Sequence, residues 1–135
     1  MLLRSYFNPG FYEIEFKYEL IRERGLPLKT FGGVSSGPQP LIDLHNELRA
    51  ILNKALAAER SSLRSRDIVD IMNVIGKCVV AGNIRRSAQI AFGEENDTEF
   101  LALKDYELNP ERAAYGWASN NSVFVSRGAN YDQIA

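Results

Sequence analysis

Residues 65–92 read Ser-Arg-Asp-Ile-Val-Asp-Ile-Met-Asn-Val-Ile-Gly-Lys-Cys-Val-Val-Ala-Gly-Asn-Ile-Arg-Arg-Ser-Ala-Gln-Ile-Ala-Phe. Ile68, Val69, Ile71, Met72, Val74, Ile75, Val79 and Val80 cover most of a helical circumference, which predicts a helix buried on several sides. Ser65 suits its cap, and Asp67 in the first turn complements the positive end of the helix dipole. Ala81-Gly82-Asn83 ends the helix, with Gly82 or Asn83 suited to a left-handed C-cap. After a short turn, residues 87–92 read as a strand, with Ala88, Ile90 and Phe92 on one face. Helix, tight loop and strand in immediate succession place the chain in the α/β class.

The flanking sequence fits that class. Upstream, Leu41, Leu44, Leu48, Ile51, Leu52, Ala55 and Leu56 form one apolar stripe at three- and four-residue spacing, and predict a helix over 41–58. Before it, residues 32–40 (Gly-Gly-Val-Ser-Ser-Gly-Pro-Gln-Pro) form the strongest loop in the chain. Residues 12–17 alternate polar and apolar, which predicts a half-buried strand. Downstream, short helices are expected over 98–104 and 110–114, the second capped by Asn109 with Pro110 in the first position. A final strand is expected over 122–126. A buried strand there needs neighbours that this inventory does not supply, so the chain is expected to be incomplete when isolated.

Composition narrows the function. The 135 residues suit one domain, and 16 Lys+Arg against 17 Asp+Glu leave a net charge of -1, with no global electrostatic handle on nucleic acid. One cysteine, Cys78, excludes an internal disulfide, a dithiol redox pair and a multi-cysteine zinc site, and points to a reducing, cytoplasmic setting. A single histidine, His45, excludes a His-rich metal site. No run reaches the roughly 20 apolar residues of a membrane span. The longest apolar stretch, 68–80, is interrupted by Asp70, Asn73 and Lys77.

Two loops can carry chemistry. In the first, glycines 32, 33 and 37 allow close backbone approach to a ligand, while Ser35 and Ser36 offer hydroxyls to phosphate or sugar oxygens in front of a helix N-terminus. In the second, Arg85 and Arg86 follow Gly82 and Asn83 and precede Ser87, and forked guanidinium donors suit phosphates or base edges. Each loop also has a plain reading, as a turn and as a pair of solvating arginines. Cys78 is expected to be quiet in apolar surroundings, His45 to pack, and Tyr115 and Trp117 to belong to the core. The run Glu94-Glu95-Asn96-Asp97 is expected to be a solvated turn.

Together, residues 27–41 (Pro-Leu-Lys-Thr-Phe-Gly-Gly-Val-Ser-Ser-Gly-Pro-Gln-Pro-Leu), 67–88 and 117–123 (Trp-Ala-Ser-Asn-Asn-Ser-Val) resemble, in order and spacing, the middle of adenosylcobalamin-dependent (class II) ribonucleotide reductases. The resemblance runs from Phe11 to Ala135 and leaves residues 1–10 unmatched. It implies a single piece of a ten-stranded α/β barrel whose parent reduces the ribose 2′-hydroxyl through a cobalamin-initiated thiyl radical. It also implies that 81–89 is the specificity loop between effector and substrate, with Arg85 nearest the substrate, Gly82 and Asn83 shaping the loop, and Arg86 and Ser87 completing it. Ser35, Ser36 and Gly37 would lie in the effector region. The implied partners are a ribonucleotide, a deoxynucleotide or ATP effector and the remainder of the polypeptide, with no nucleic acid and no membrane.

The chain lacks the family's Asn-Pro-Cys-x-Glu motif with its radical cysteine, and Cys78 matches none of the family's functional thiols. No catalytic residue and no metal ligand is therefore expected here. Adenosylcobalamin would be bound by parts of the parent outside this chain, and an internal fragment of this kind should not turn over alone. A non-catalytic nucleotide-binding module, or a piece that works by complementing a second chain, stays open beside that reading.

Overall fold

A computed structural model describes residues 1–8, 10, 13–29, 32–82, 86–130 and 132. A short helix α1 (Leu2–Phe7) is followed by extended chain and then by α2 (Gln39–Ala57) and α3 (Ser65–Val80). Strand β1 (Gln89–Glu94), α4 (Thr98–Leu101), three 3-10 turns and strand β2 (Ser119–Phe124) complete the order. The mixed helix-and-strand class expected from the sequence is the one adopted.

α2 begins two residues earlier than the apolar stripe suggests. Pro40 lies in its first turn, where a missing N–H costs nothing, and Leu41 and Ile42 N–H groups donate to Pro38 O at 3.0 and 3.1 Å. Leu48, Leu52 and Ala55 are buried as the stripe predicts, whereas Leu56, from the same stripe, is exposed at the end of the helix. α3 has a core on each side. Ile71 and Val74 pack with Leu2, Leu48 and Leu52, while Val69 packs with Phe100 and Leu103. The first ten residues, unmatched in the sequence reading, thus contribute Leu2 to the main core.

Two details of α3 correct the sequence reading. Its exposed side carries Ile68, Met72 and Val79, so burial is broad but not circumferential. Its N-cap is Arg64, not Ser65. The cap contact comes from Asp67, whose Oδ2 accepts from the Arg64 backbone N–H at 2.9 Å and from the Arg60 guanidinium. Burial pulls the Asp67 carboxyl upward, but the hydrogen bonds and charges of Arg60 and Arg64 outweigh it and hold the group below its ordinary 3.8. A depressed folded-state pKa contributes stability that is present above the unfolded value and lost as pH falls through the folded one. The start of α3 is therefore expected to loosen below about pH 4. Asp67→Asn should remove that acid sensitivity, as read by amide exchange over 64–70.

β1 and β2 pair in parallel, Gln89 opposite Ser119 through Glu94 opposite Phe124. The connection runs through α4, capped by Asp97 Oδ1 accepting from Phe100 N at 3.0 Å, and through 3-10 turns at 102–104, 110–114 and 116–118. The helix expected over 98–104 is thus α-helical only to Leu101, and that over 110–114 is a 3-10 turn. Asn109 sits at the expected cap position, but its amide is used otherwise: Nδ2 donates to Ala102 O at 2.9 Å and Asp105 O at 3.1 Å. The last strand lies three residues earlier than the apolar run 122–126 suggests, because the ladder from β1 recruits Ser119, Asn120 and Asn121.

Residues 13–17 form no strand; Tyr12 lies outside the described residues. Their alternation survives as burial, with Ile14 and Phe16 half-buried against α2 and no sheet to join. Phe16 stacks on His45 with ring centroids 3.7 Å apart, and the Arg49 guanidinium donates to Ile14 O. Trp117 is also corrected. It is exposed, its indole N–H donating to Ala114 O at 3.2 Å, whereas Tyr115 is half-buried against the main core.

Candidate functional site

The two loops singled out in the sequence meet. Residues 22–35 fold back on themselves: Gly25 N donates to Ser35 O at 2.9 Å, Ser35 N to Leu26 O at 2.8 Å, and Leu28 N to Gly33 O at 3.0 Å. Pro27 and Val34 form an antiparallel bridge. This fold presents Ser35, Ser36 and Gly37 immediately before α2. Gly37 is buried with φ +78°, and a Cβ there would stand 3.1 Å from the Arg24 backbone nitrogen, so only glycine fits. Gly82, at the end of α3, has φ +102°, and a Cβ on it would stand 3.2 Å from Ser36 Cβ. The start of the 81–88 loop therefore rests directly on Ser36.

The hydroxyls differ from expectation. Ser35 Oγ is engaged within the protein, donating to Arg22 O at 3.0 Å and accepting from Gly37 N at 3.1 Å. Ser36 instead provides the packing surface for Gly82. Arg86 is exposed and Ser87 half-buried; Asn83 and Arg85 lie outside the described residues. The left-handed cap expected at Gly82 or Asn83 falls on Gly82, after an extended Ala81.

The other candidates behave as packing groups. His45 stacks on Phe16, and its Nδ1 lies 2.7 Å from Tyr18 Oη; burial and then the Arg49 charge lower its pKa. Burial, reinforced by the carboxylates of Asp43 and Glu47, pushes the Cys78 thiol up from 9.0. Cys78 is thus expected to react with iodoacetamide at pH 7.5 more slowly than a free cysteine, and Asp43→Asn with Glu47→Gln should narrow that gap. Of the acidic run, Glu95 takes the Ser126 hydroxyl at 2.7 Å and Asp97 caps α4, so the turn is bonded as well as solvated. Among the described residues no group of three His, Cys, Asp or Glu could hold a metal ion.

Sequence reasoning missed a buried polar network on α3. Asp70 accepts from Arg112 Nε at 2.6 Å, both side chains nearly or wholly out of solvent (7% and 0%). Arg66 extends the network to Asn109 and Glu111. Asp70 and Asn73 on an otherwise apolar helix were the available signal, but their partners lie far away in sequence. A cleft of about 240 Å³ beside this network, bounded by Arg66, Asp70, Glu111 and Tyr115, lies away from the two loops.

Two glycine-bearing segments thus meet at the end of α3, where Gly82 stands against Ser36. Comparison with known proteins gives the class. The chain is 50% identical over 134 residues (99% of its length) to a protein of Dictyostelium discoideum named probable adenosylcobalamin-dependent ribonucleoside-triphosphate reductase. That match reaches into the first ten residues. It is 57% identical over 119 residues (88%) to the adenosylcobalamin-dependent ribonucleoside-triphosphate reductase of Euglena gracilis, and 40% over 116 residues (85%) to that of Lactobacillus leichmannii. No family model and no solved structure matched.

Over 85–99% of its length the chain is thus similar to one segment of adenosylcobalamin-dependent ribonucleoside-triphosphate reductases. It spans 15–17% of the length of these relatives. Among the described residues no helix is long and apolar enough to cross a membrane.

Proposed function

We propose that this chain is the specificity segment of a ribonucleoside-triphosphate reductase, seated in that enzyme's ten-stranded α/β barrel. In this reading residues 81–89 carry effector identity to the substrate. Arg85 is the group nearest the substrate, Gly82 and Asn83 shape the loop, and Arg86 and Ser87 lead it into β1. Ser35, Ser36 and Gly37 form the effector side. The observation that carries the reading is the contact of Gly82 with Ser36, which joins the two loops mechanically. A parallel strand pair with Ile90, Phe92 and Phe124 exposed on one face supports a place inside a larger sheet, since parallel sheets are ordinarily covered on both faces. Adenosylcobalamin would be held elsewhere in the polypeptide and would supply the radical that starts the reaction. This chain's part is to orient the nucleotide and keep the loop in register. A ribonucleoside triphosphate is the proposed substrate, a deoxynucleotide or ATP the proposed effector, and the cytoplasm the proposed location.

The test replaces the matching segment of the Euglena gracilis reductase with this chain. The graft is expected to form deoxyribonucleotides, and the isolated chain none above a no-protein control. A graft that folds and binds cobalamin but does not turn over would overturn the reading. Restoration of activity by the chain added in trans to a reductase lacking the segment would instead favour a complementing module. Gly82→Ala in the graft should cost about 1–2 kcal/mol through its positive φ, beyond the crowding against Ser36. The effector-induced change in substrate preference should shrink correspondingly.

A further inference from the structure

Gly76 stands in the middle of α3, where glycine costs about 1 kcal/mol relative to alanine. Gln89 explains its presence. A Cβ at Gly76 would stand 2.8 Å from Gln89 Nε2, 3.2 Å from Gln89 Cδ and 3.3 Å from Ala118 Cβ. The missing side chain is thus a notch in which the Gln89 amide lies flat on the helix. From that notch Nε2 donates to Met72 O at 2.9 Å. Gln89 is the first residue of β1, the point at which the 81–88 loop joins the sheet. The loop is therefore held by backbone geometry and Ser36 at one end, and by a single side-chain amide at the other.

The surroundings of that amide are unusual. Asn73, one turn of α3 before Gly76, is fully buried, and neither its Nδ2 nor its Oδ1 has a hydrogen-bond partner among the described residues. The same holds for Gln89 Oε1 and for Asn121 Nδ2. Asn121 lies in β2 on the same sheet face as Gln89, its partner Ala91 being two residues along β1. Buried amide groups without partners are costly, so this part of the α3–sheet interface holds polar groups that the described residues leave unbonded. Only one side of the Gln89 amide is bonded in this arrangement, and groups able to bond the other stand on α3 and β2.

We propose that Gln89 is a positioning residue for substrate choice: seated in the Gly76 notch and bonded to Met72 O, it sets where the specificity loop joins the sheet. The proposal rests on the reading of 81–89 as the specificity loop. It assigns the loop a fixed anchor at the point where it enters β1.

The experiment uses the full-length graft and measures kcat/KM for the four ribonucleoside triphosphates with and without each deoxynucleotide effector. Gln89→Ala should shrink the effector-induced preference between substrates by about fivefold, the effect of about one hydrogen bond. Gln89→Glu, which keeps the length but cannot donate to Met72 O, should do the same. Gly76→Ala should displace the Gln89 amide and reproduce the loss. In the Gln89→Ala background it should add little to the loss of preference, because the most crowded group is gone and only Ala118 Cβ, at 3.3 Å, remains close. Equal falls for all four substrates regardless of effector, or additive losses from Gly76→Ala and Gln89→Ala, would reduce Gln89 to a structural contact and overturn the proposal. Unchanged preferences in Gln89→Ala, with Arg85→Ala still abolishing them, would overturn it while leaving the loop assignment standing. Unchanged preferences in both would sink the loop assignment itself.

Discussion

Asp70→Ala is expected to destabilise this segment by about 3–5 kcal/mol, the usual cost of leaving one half of a buried ion pair without its partner. Arg112 is fully buried, and Asp70 Oδ1 takes its Nε at 2.6 Å; Asp70 Oδ2 also faces Arg66 Nε at 3.7 Å. Removing the carboxylate strands a guanidinium that has no route to water and leaves Arg66 with Glu111 and Asn109 alone. The pair joins α3 to the turn at 110–114, which leads through the turn at 116–118 into β2, so the loss should spread to the β1–β2 pairing. The check is amide exchange in the full-length graft. Faster exchange over 66–74 and 110–124 is expected, with α2 retaining more protection. The paired replacement Asp70→Leu with Arg112→Met should be much milder than Asp70→Ala, because two neutral side chains leave no charge unpaired. If Asp70→Ala alone is as stable as the parent, the network is a surface ornament and the account of α3 fails.

Arg85→Ala is expected to have the largest effect on function. The proposed specificity loop starts on Gly82 against Ser36 and ends at Gln89 against α3, so its described ends are both held by the fold. Loss of one charge-assisted hydrogen bond to a nucleotide should cost about 1.5–3 kcal/mol. That is a fall of about tenfold or more in kcat/KM. Lysine should not substitute, because a guanidinium fork is not reproduced by a single ammonium. Arg86, exposed where the chain straightens toward β1, should matter less. A result in which Arg86→Ala scrambles substrate preference and Arg85→Ala does not would reverse the assignment within the pair.

The parts of the fold legible in the sequence are those set by local periodicity and local breakers. The α2 stripe, the long α3 and the glycine after it follow from spacing along the chain, whereas the strand expected over 87–92 lies two residues later, at Gln89–Glu94. Pro40 shows the limit of breaker rules, since a proline that looks like a boundary is harmless in a first turn. The alternation of residues 13–17 marked a half-buried extended segment but could not show whether a sheet lay beside it. Similarly, Asn120 and Asn121 are poor strand formers placed in β2 by pairing with β1, a partner 30 residues away along the ladder. The Asp70–Arg112 pair spans 42 residues and carried no local signal at all. Within the site, the two loops were legible because glycine and arginine clusters interrupt the pattern. Their contact through Ser36 and Gly82 was not, because it depends on how α2 and α3 pack.

The proposed role of this chain, carrying the specificity loop of a ribonucleoside-triphosphate reductase, is open to a direct test. The most direct measurement is product formation from all four ribonucleoside triphosphates, with and without each deoxynucleotide effector, by the full-length graft and by the same graft with residues 83–87 replaced by glycine and serine. The account predicts that the parent graft changes its preferred substrate with the effector, while the loop-replaced graft loses that dependence but still folds. Identical effector responses in the two proteins would contradict it.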